Sequence, residues 1–318
     1  MRFMLGIAAA LAWLSPVAWA AGLPPMPLPT AGDRVLVVAP HPDDESLCCA
    51  GYLQRAVAAG AQVGVVWVTA GDGFELDAIV VERTLRPKGA RLRQLGERRM
   101  QEARAAGRIL KIPEVNEFFL GYPDRGVMSL LTRNFDTPYS SAYTGLTAST
   151  YPGVVSPGHS YTGRNLERDL ASVLERFRPT VVLAAAPDDR HPDHAASGAL
   201  SRQLLLGHNP AFAGGQVTLY YWQVHDRHWP RPEAYQPQAV LTPPPSAAGR
   251  PWRSLTLTQA ECATKLSALR QHRSQMALTR PFMLAFDRAN EIFWPATADH
   301  ALDGRRLTPP SPAVPAGR

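Results

Sequence analysis

Lysine and cysteine are the scarce residues of this 318-residue chain. Three cysteines, Cys48, Cys49 and Cys262, are too few for a disulfide framework. No C-x-x-C pair marks a thiolate metal site or a redox centre. Cys48 and Cys49 read as small apolar residues of a helix, and a bond from one of them to Cys262 stays open at this level. Three lysines (Lys88, Lys111, Lys265) among 33 basic residues leave 30 arginines. An arginine-biased composition accounts for that excess, as does an anionic partner gripped by the two-pronged guanidinium. Charged residues are only 19% and the net charge is +6. No basic stripe interleaved with aromatics is present, so nucleic acid is not an expected partner. Outside the first twenty residues no apolar run approaches the ~20 residues of a spanning helix. Internal repeats are also absent. What is plentiful is apolar content, 45%, which excludes a disordered polar chain and supplies one large core.

The first twenty residues read as a secretory leader: Arg2, an apolar run from Phe3 to Leu14, then Ala18-Trp19-Ala20. Cleavage after Ala20 predicts a periplasmic or secreted mature chain of net charge +5, with an uncleaved membrane anchor as the alternative. Residues 21–32 form a proline-rich lead-in, 33–300 one domain, and 301–318 a disordered tail. No stable membrane span is expected once the leader is removed, and no oligomeric state is read from the sequence.

Within the domain, apolar runs alternate with amphipathic ones. Residues 34–39, 63–68, 117–120, 180–185 and 218–224 read as strands, the long apolar ones buried on both faces. Residues 44–59, 91–110, 165–177, 195–206 and 258–275 read as helices. This predicts a Rossmann-like α/β fold, a mostly parallel sheet with helices on both faces. The Tyr-rich stretch 129–163 breaks the alternation and reads either as a rim that stacks on sugar rings or as a loose insertion. Residues 230–251, with seven prolines, read as surface padding.

Open α/β sheets hold ligands beyond the carboxyl ends of their strands, and two polar clusters sit there. The first is Pro40-His41-Pro42-Asp43-Asp44-Glu45; the second is Asp188-Asp189-Arg190-His191-Pro192-Asp193-His194. Imidazole and carboxylate three residues apart suit zinc or a similar divalent ion. His41, Asp44 and His194 make a three-ligand set with an open position, the catalytic kind. Asp43, between two ligands, is placed to act as general base. Either motif alone is weak, but the pair, each after a buried strand, is a strong signal.

The run from Val37 to Ser46 resembles the A-H-P-D-D-E signature of the PIG-L/LmbE family of zinc-dependent N-deacetylases. His191-Pro192-Asp193-His194 is similar to that family's second signature. Arg99-x-x-Glu102, Phe119-Leu120-Gly121-Tyr122-Pro123-Asp124, the segment Lys265 to Gln275 (K-x-x-A-L-R-x-H-x-S-Q) and Asn290-Glu291-Ile292-Phe293 resemble further family segments, so the similarity spans about residues 33–295. The resemblance implies a metal held by His41, Asp44 and His194: zinc, with Fe2+ or Co2+ as alternatives. It implies Asp43 as general base, His191 as the cation or acid that stabilises the oxyanion and helps the amine leave, and Asp193 as the residue orienting His191. It also implies Arg99 and Asp124 as substrate-binding residues. Glu45 alternatively favours the positive start of its helix, and Arg99 with Glu102 alternatively forms a helix-face ion pair. Asp189 or Arg190 reads as a partner behind the ligands or a substrate contact. His159, His225, His228 and His272 read as loop or surface histidines, His225 being near enough to a strand end to reach a pocket rim. The expected function is an exported zinc-dependent hydrolase that releases acetate from an N-acetylated amino sugar or glycoconjugate, possible anionic partners included. The alternatives are an amidase for another N-acyl substrate and a non-catalytic carbohydrate-binding envelope protein.

Overall fold

The computed structural model describes residues 22–73, 88–206 and 217–296. Residues 1–20, read as a leader, and residues 301–318, read as a tail, lie outside the described residues. Seven strands form one sheet in the order β3-β2-β1-β4-β5-β7-β6: β1 Arg34–Ala39, β2 Gln62–Thr69, β3 Glu117–Tyr122, β4 Val181–Ala185, β5 Thr218–Trp222, β6 Arg253–Thr256 and β7 Asn290–Pro295. Strands β1 to β5 pair in parallel. β7 runs antiparallel to both β5 and β6. The α/β fold with a mostly parallel sheet is as the alternation predicts; the antiparallel edge is additional. Val35 to Ala39 are fully buried, so both faces of the central strand are covered, as parallel sheets require.

The helices are α1 Asp44–Cys48, α2 Ala50–Ala58, α3 Ala90–Ile109, α4 Val127–Thr132, α5 Gly163–Phe177, α6 Pro192–Leu206, α7 Gln259–Leu269 and α8 Arg273–Leu284. Three expectations change here. The helix read over 44–59 is two, broken at Cys49, because the Glu291 carboxylate of β7 accepts from Gly51 N at 2.8 Å and Tyr52 N at 3.0 Å and so caps a new start. The helix read over 258–275 ends at Leu269, and α8 restarts at Arg273. α6 begins at Pro192, earlier than expected, a residue suited to a first turn that needs no donor there. This moves Asp193 and His194 from a loop onto a helix. Gly198 of α6 lies so close to β4 that a Cβ would stand 2.1 Å from the Ala185 carbonyl oxygen.

Two of the four tyrosines read in the 129–163 stretch are not free to stack on sugar: Tyr151 and Tyr161 are buried, their hydroxyls donating to Asp72 at 2.6 Å and to the Gly121 carbonyl at 3.1 Å, whereas Tyr139 and Tyr143 are half-buried. Nor is 230–251 mere padding, since Leu241 and Ala247 join the core. The lead-in is extended and tied to β6, with Met26 N donating to Ser254 O and Ser254 N to Pro24 O, each at 2.9 Å. All three cysteines are free. Among the described residues no helix is long and apolar enough to cross a membrane.

Candidate metal and active site

Strand order reverses at β1, where connections leave toward β2 on one side and β4 lies on the other. Such switch points open a crevice at the carboxyl ends of the strands. The loop after β1 and the first turn of α6 meet there. Asp44 accepts a hydrogen bond from His41 N at 2.8 Å, which turns the loop back so that both side chains face one point.

That point is a triangle. His41 Nδ1 stands 3.1 Å from His194 Nε2, 3.6 Å from Asp44 Oδ2, and His194 Nε2 stands 3.4 Å from the same oxygen. Bonds of about 2.0–2.1 Å around a tetrahedral zinc separate ligand atoms by about 3.3 Å, so the donor set fits such an ion. The outer nitrogens support it: His41 Nε2 faces Asp124 Oδ1 at 3.2 Å and Asp193 Oδ2 at 3.4 Å, and His194 Nδ1 faces Asp189 Oδ2 at 3.5 Å. Carboxylates behind ligating imidazoles fix the tautomer and raise basicity. Burial alone pulls the His41 imidazole down, yet Asp124, Asp193 and Asp44 together hold it well above its ordinary range. Burial also opposes charge on His194, and Asp44 and Asp189 overcome it. The surplus of negative charge around two imidazoles is what a dication would neutralise. His41, His191 and His194 also converge, as do His41, Asp124 and Asp193; the second set uses the His41 nitrogen opposite to the triangle.

A cavity of about 180 Å³ opens over this floor, and His41, Asp43, Asp44, Arg99, Asp124 and His191 line it. Thus six of the eight residues expected from the sequence share one chamber; His194 and Asp193 lie fully buried beneath. A larger groove of about 790 Å³ runs along the outside of α3, and none of the eight lines it. Burial pushes the Asp43 carboxyl up, the neighbouring Asp44 charge adds to this, and Arg99 opposes it. Arg99 donates to the Gly71 carbonyl at 2.8 Å and holds a second nitrogen 3.6 Å from Asp43 Oδ2. Gly71 has φ +69 and a Cβ there would meet the guanidinium at 2.6 Å, so this turn needs glycine on both counts. Glu102 does not pair with Arg99; it accepts from Ser274 N at 3.0 Å and Ser274 Oγ at 2.6 Å.

Asp124 is locked to a residue the sequence reading passed over. Asp72 Oδ1 accepts from Asp124 N at 3.0 Å, while Asp124 Oδ2 accepts from Gly73 N at 3.1 Å. Burial pushes the Asp72 carboxyl up to about 7. Asp124 itself is held well below the usual carboxylate range: burial opposes this, but the His41 imidazole outweighs it. The position of Asp72, directly after β2, was visible in the sequence, but its partnership with Asp124 was not.

His191 differs from expectation in two respects. Burial first, then the imidazoles of His41, His194 and His225, depress its pKa below the ordinary value, which favours the neutral ring over the cation. Its Nδ1 accepts from Asp193 N at 3.2 Å, which leaves Nε2–H as the ring's donor. The Asp193 carboxylate does not orient His191; it accepts instead from Arg125 N at 2.5 Å and Val127 N at 3.1 Å. Asp189 does stand behind the ligands, also accepting from His191 N at 2.8 Å and from Val224 N and His225 N, each at 3.1 Å. His225 lines the cavity, and burial holds its imidazole down at about 4. His225 thus reaches the pocket as its place after a strand suggested, while His272, fully buried against Glu45 at 3.0 Å, is not a surface histidine. Glu45 accordingly serves as a buried hydrogen-bond acceptor, not as a bare helix-start charge.

The profile described as PIG-L, GlcNAc-PI de-N-acetylase, matches residues 36–205, more than half of the chain. The chain belongs to the PIG-L family. Among relatives of this PIG-L family member, the 1D-myo-inositol 2-acetamido-2-deoxy-alpha-D-glucopyranoside deacetylase of Nakamurella multipartita is 33% identical over 174 residues, 51% of each chain. The probable N-acetyl-alpha-D-glucosaminyl L-malate deacetylase 2 of Bacillus anthracis is 31% identical over 164 residues, 48% of this chain and 66% of the relative. The chain therefore spans about half the length of the first relative and just under two thirds of the second. In fold it resembles the N,N'-diacetylchitobiose deacetylase of Pyrococcus horikoshii, with a TM-score of 0.52 at 20% identity, covering 83% of this chain and 84% of that one.

Proposed function

We propose that this PIG-L family chain is a zinc-dependent hydrolase that removes the N-acetyl group from an N-acetylglucosaminyl conjugate, releasing acetate and a free amine. The observation that carries this reading is the triangle of His41 Nδ1, Asp44 Oδ2 and His194 Nε2 beneath a cavity that Asp43 and His191 also line. Names of two relatives that share a 2-acetamido-glucose unit on different aglycones, inositol and malate, support the substrate class.

Zinc held by His41, Asp44 and His194 would supply Lewis-acid polarisation of the acetamide carbonyl and make a water more acidic. Asp43, its carboxyl raised by burial, takes a proton from the attacking water as a general base. His191 donates its Nε2–H to the carbonyl oxygen as that atom gains charge. The C–N bond then breaks, and Asp43 returns the proton to the departing nitrogen. Arg99 and Asp124, on the cavity wall, bind sugar hydroxyls.

Acetate release from a small panel tests this: free N-acetylglucosamine, chitooligosaccharides, a phosphatidylinositol glycan and lipopolysaccharide fragments. The expected result is release from at least one conjugate, lost on chelation and restored by zinc. No release from any of them by metal-loaded protein overturns it. Export is part of the proposal and rests on the pattern of residues 1–20. N-terminal sequencing of the protein recovered from its native compartment is expected to begin at Ala21.

A further inference from the structure

Residues 272–275 lie outside the stretch matched by the family profile, yet they close on the first loop. His272 Nε2 lies 3.0 Å from Glu45 Oε1 and 3.1 Å from Ser46 Oγ. The other Glu45 oxygen accepts from Trp67 Nε1 at 2.9 Å. Three residues on, the buried Gln275 donates from Nε2 to the Pro42 carbonyl at 2.5 Å and to Asp43 Oδ2 at 3.2 Å. The Pro42 carbonyl carries no proton, so the amide must present its NH2 there; turned over, it would set oxygen against oxygen. Ser274, between the two, is anchored to Glu102 of α3 through both its N–H and its hydroxyl. The turn is thus fixed from behind and grips the loop at two points.

The consequence falls on one carboxylate. Gln275 and Arg99 both address Asp43 Oδ2, which leaves Oδ1 engaged by neither. A general base works only within hydrogen-bond reach of the proton it takes, and a carboxylate free to rotate would spend part of its time out of line.

We propose that Gln275 is a positioning residue for the Asp43 carboxylate, and that the 272–275 turn is a clamp whose second grip, His272 on Glu45, fixes the loop behind it. The catalytic part of this rests on the deacetylase reading; the geometric part does not. Gln275→Glu tests it, because it keeps the size of the side chain and replaces the donor by an acceptor facing Pro42 O and Asp43. Gln275→Met, equally long and without a donor, is the second variant should the first fail to fold. The measurements are kcat and KM for acetate release, zinc content, and crystal structures of the wild type and variant. Expected is a loss in kcat of about 10- to 100-fold, with KM and zinc content unchanged and the Asp43 side chain turned. Wild-type kcat in the variant overturns the proposal, as does a loss carried by KM or by zinc depletion. If the wild type releases no acetate from any substrate, the deacetylase reading fails and the structures alone decide the clamp. Asp43 turned in the variant then supports it, and Asp43 unmoved overturns it.

Discussion

His41 Nδ1 and His194 Nε2 stand 3.1 Å apart although 153 residues separate them in the chain. Two adjacent parallel strands, β1 and β4, carry them to the same edge, one on a loop and the other on the first turn of α6. Two imidazole nitrogens at that distance beside one carboxylate are a donor set of the kind a divalent cation takes. His194→Ala is expected to deplete bound metal, read by elemental analysis, and to remove acetate release with it. Asp189→Asn, which leaves the ligands in place but weakens the acceptor behind His194, is expected to lower metal affinity by about 10- to 100-fold. Full metal occupancy in His194→Ala would remove the ligand assignment.

Asp43 separates base chemistry from metal binding. It lies between His41 and Asp44 in sequence, yet its Oδ2 is engaged by Gln275 and Arg99. Asp43→Ala is therefore expected to cut kcat by about 10²- to 10⁴-fold while zinc content stays at the wild-type level. Equal turnover in that variant, measured on the same preparation as the metal, would refute the base assignment.

The convergence of the proposed metal ligands and of Asp43 on one site was readable because each lies in a short motif directly after a strand, and the apolar run Val35–Ala39 makes the strand itself unmistakable. His194 was readable as a member of that cluster but not as a helical residue, since Pro192 fits a loop or a first turn equally well. Asp72 and His272 were not readable in the same way. Their roles depend on Asp124 and Glu45, residues 52 and 227 positions away in the chain, and only the packed sheet brings these together. The break at Cys49 was likewise invisible, because its cause is a carboxylate on β7. Within the Tyr-rich stretch, Tyr151 and Tyr161 misled for a simple reason: their hydroxyls find buried acceptors, so these two rings are core instead of rim.

Asp72 carries a prediction about binding. Its carboxylate accepts from Asp124 N and from Tyr151 OH, and Asp124 answers through Gly73 N. Asp72→Ala removes half of this reciprocal lock and leaves the Tyr151 hydroxyl without its acceptor. If Asp124 binds the sugar, kcat/KM is expected to fall about 10- to 100-fold, chiefly through KM, with metal retained. A fall confined to kcat would instead assign Asp124 to the metal-side chemistry through His41.

His191 should act as a neutral donor. Its depressed pKa and the Asp193 N–H on its Nδ1 leave Nε2–H available to an oxyanion. His191→Ala is expected to lower kcat about 100-fold or more. His191→Gln, whose amide also carries N–H donors, is expected to recover part of it. A variant series in which Gln is no better than Ala would show that the ring's role is not donation.

Glu117, away from the site, gives a stability test with a definite sign. Burial pushes its carboxyl from about 4.5 up to about 7, against the opposing charge of Arg104, whose guanidinium reaches it at 3.3 Å. Between those two values the folded chain holds a proton that the unfolded chain has released. The unfolded state therefore binds fewer protons, and stability falls as pH rises through that window. The contribution is fully present below the unfolded value and lost above about 7. Glu117→Gln mimics the protonated form at every pH and removes the dependence. Melting midpoints of variant and wild type, compared from about pH 5 to about pH 8, are expected to diverge in favour of the variant as pH rises. A gap that stays constant would mean the carboxyl titrates normally. A gap that widens in favour of the wild type would mean that the Arg104 ion pair outweighs burial, reversing the cause assigned to this residue.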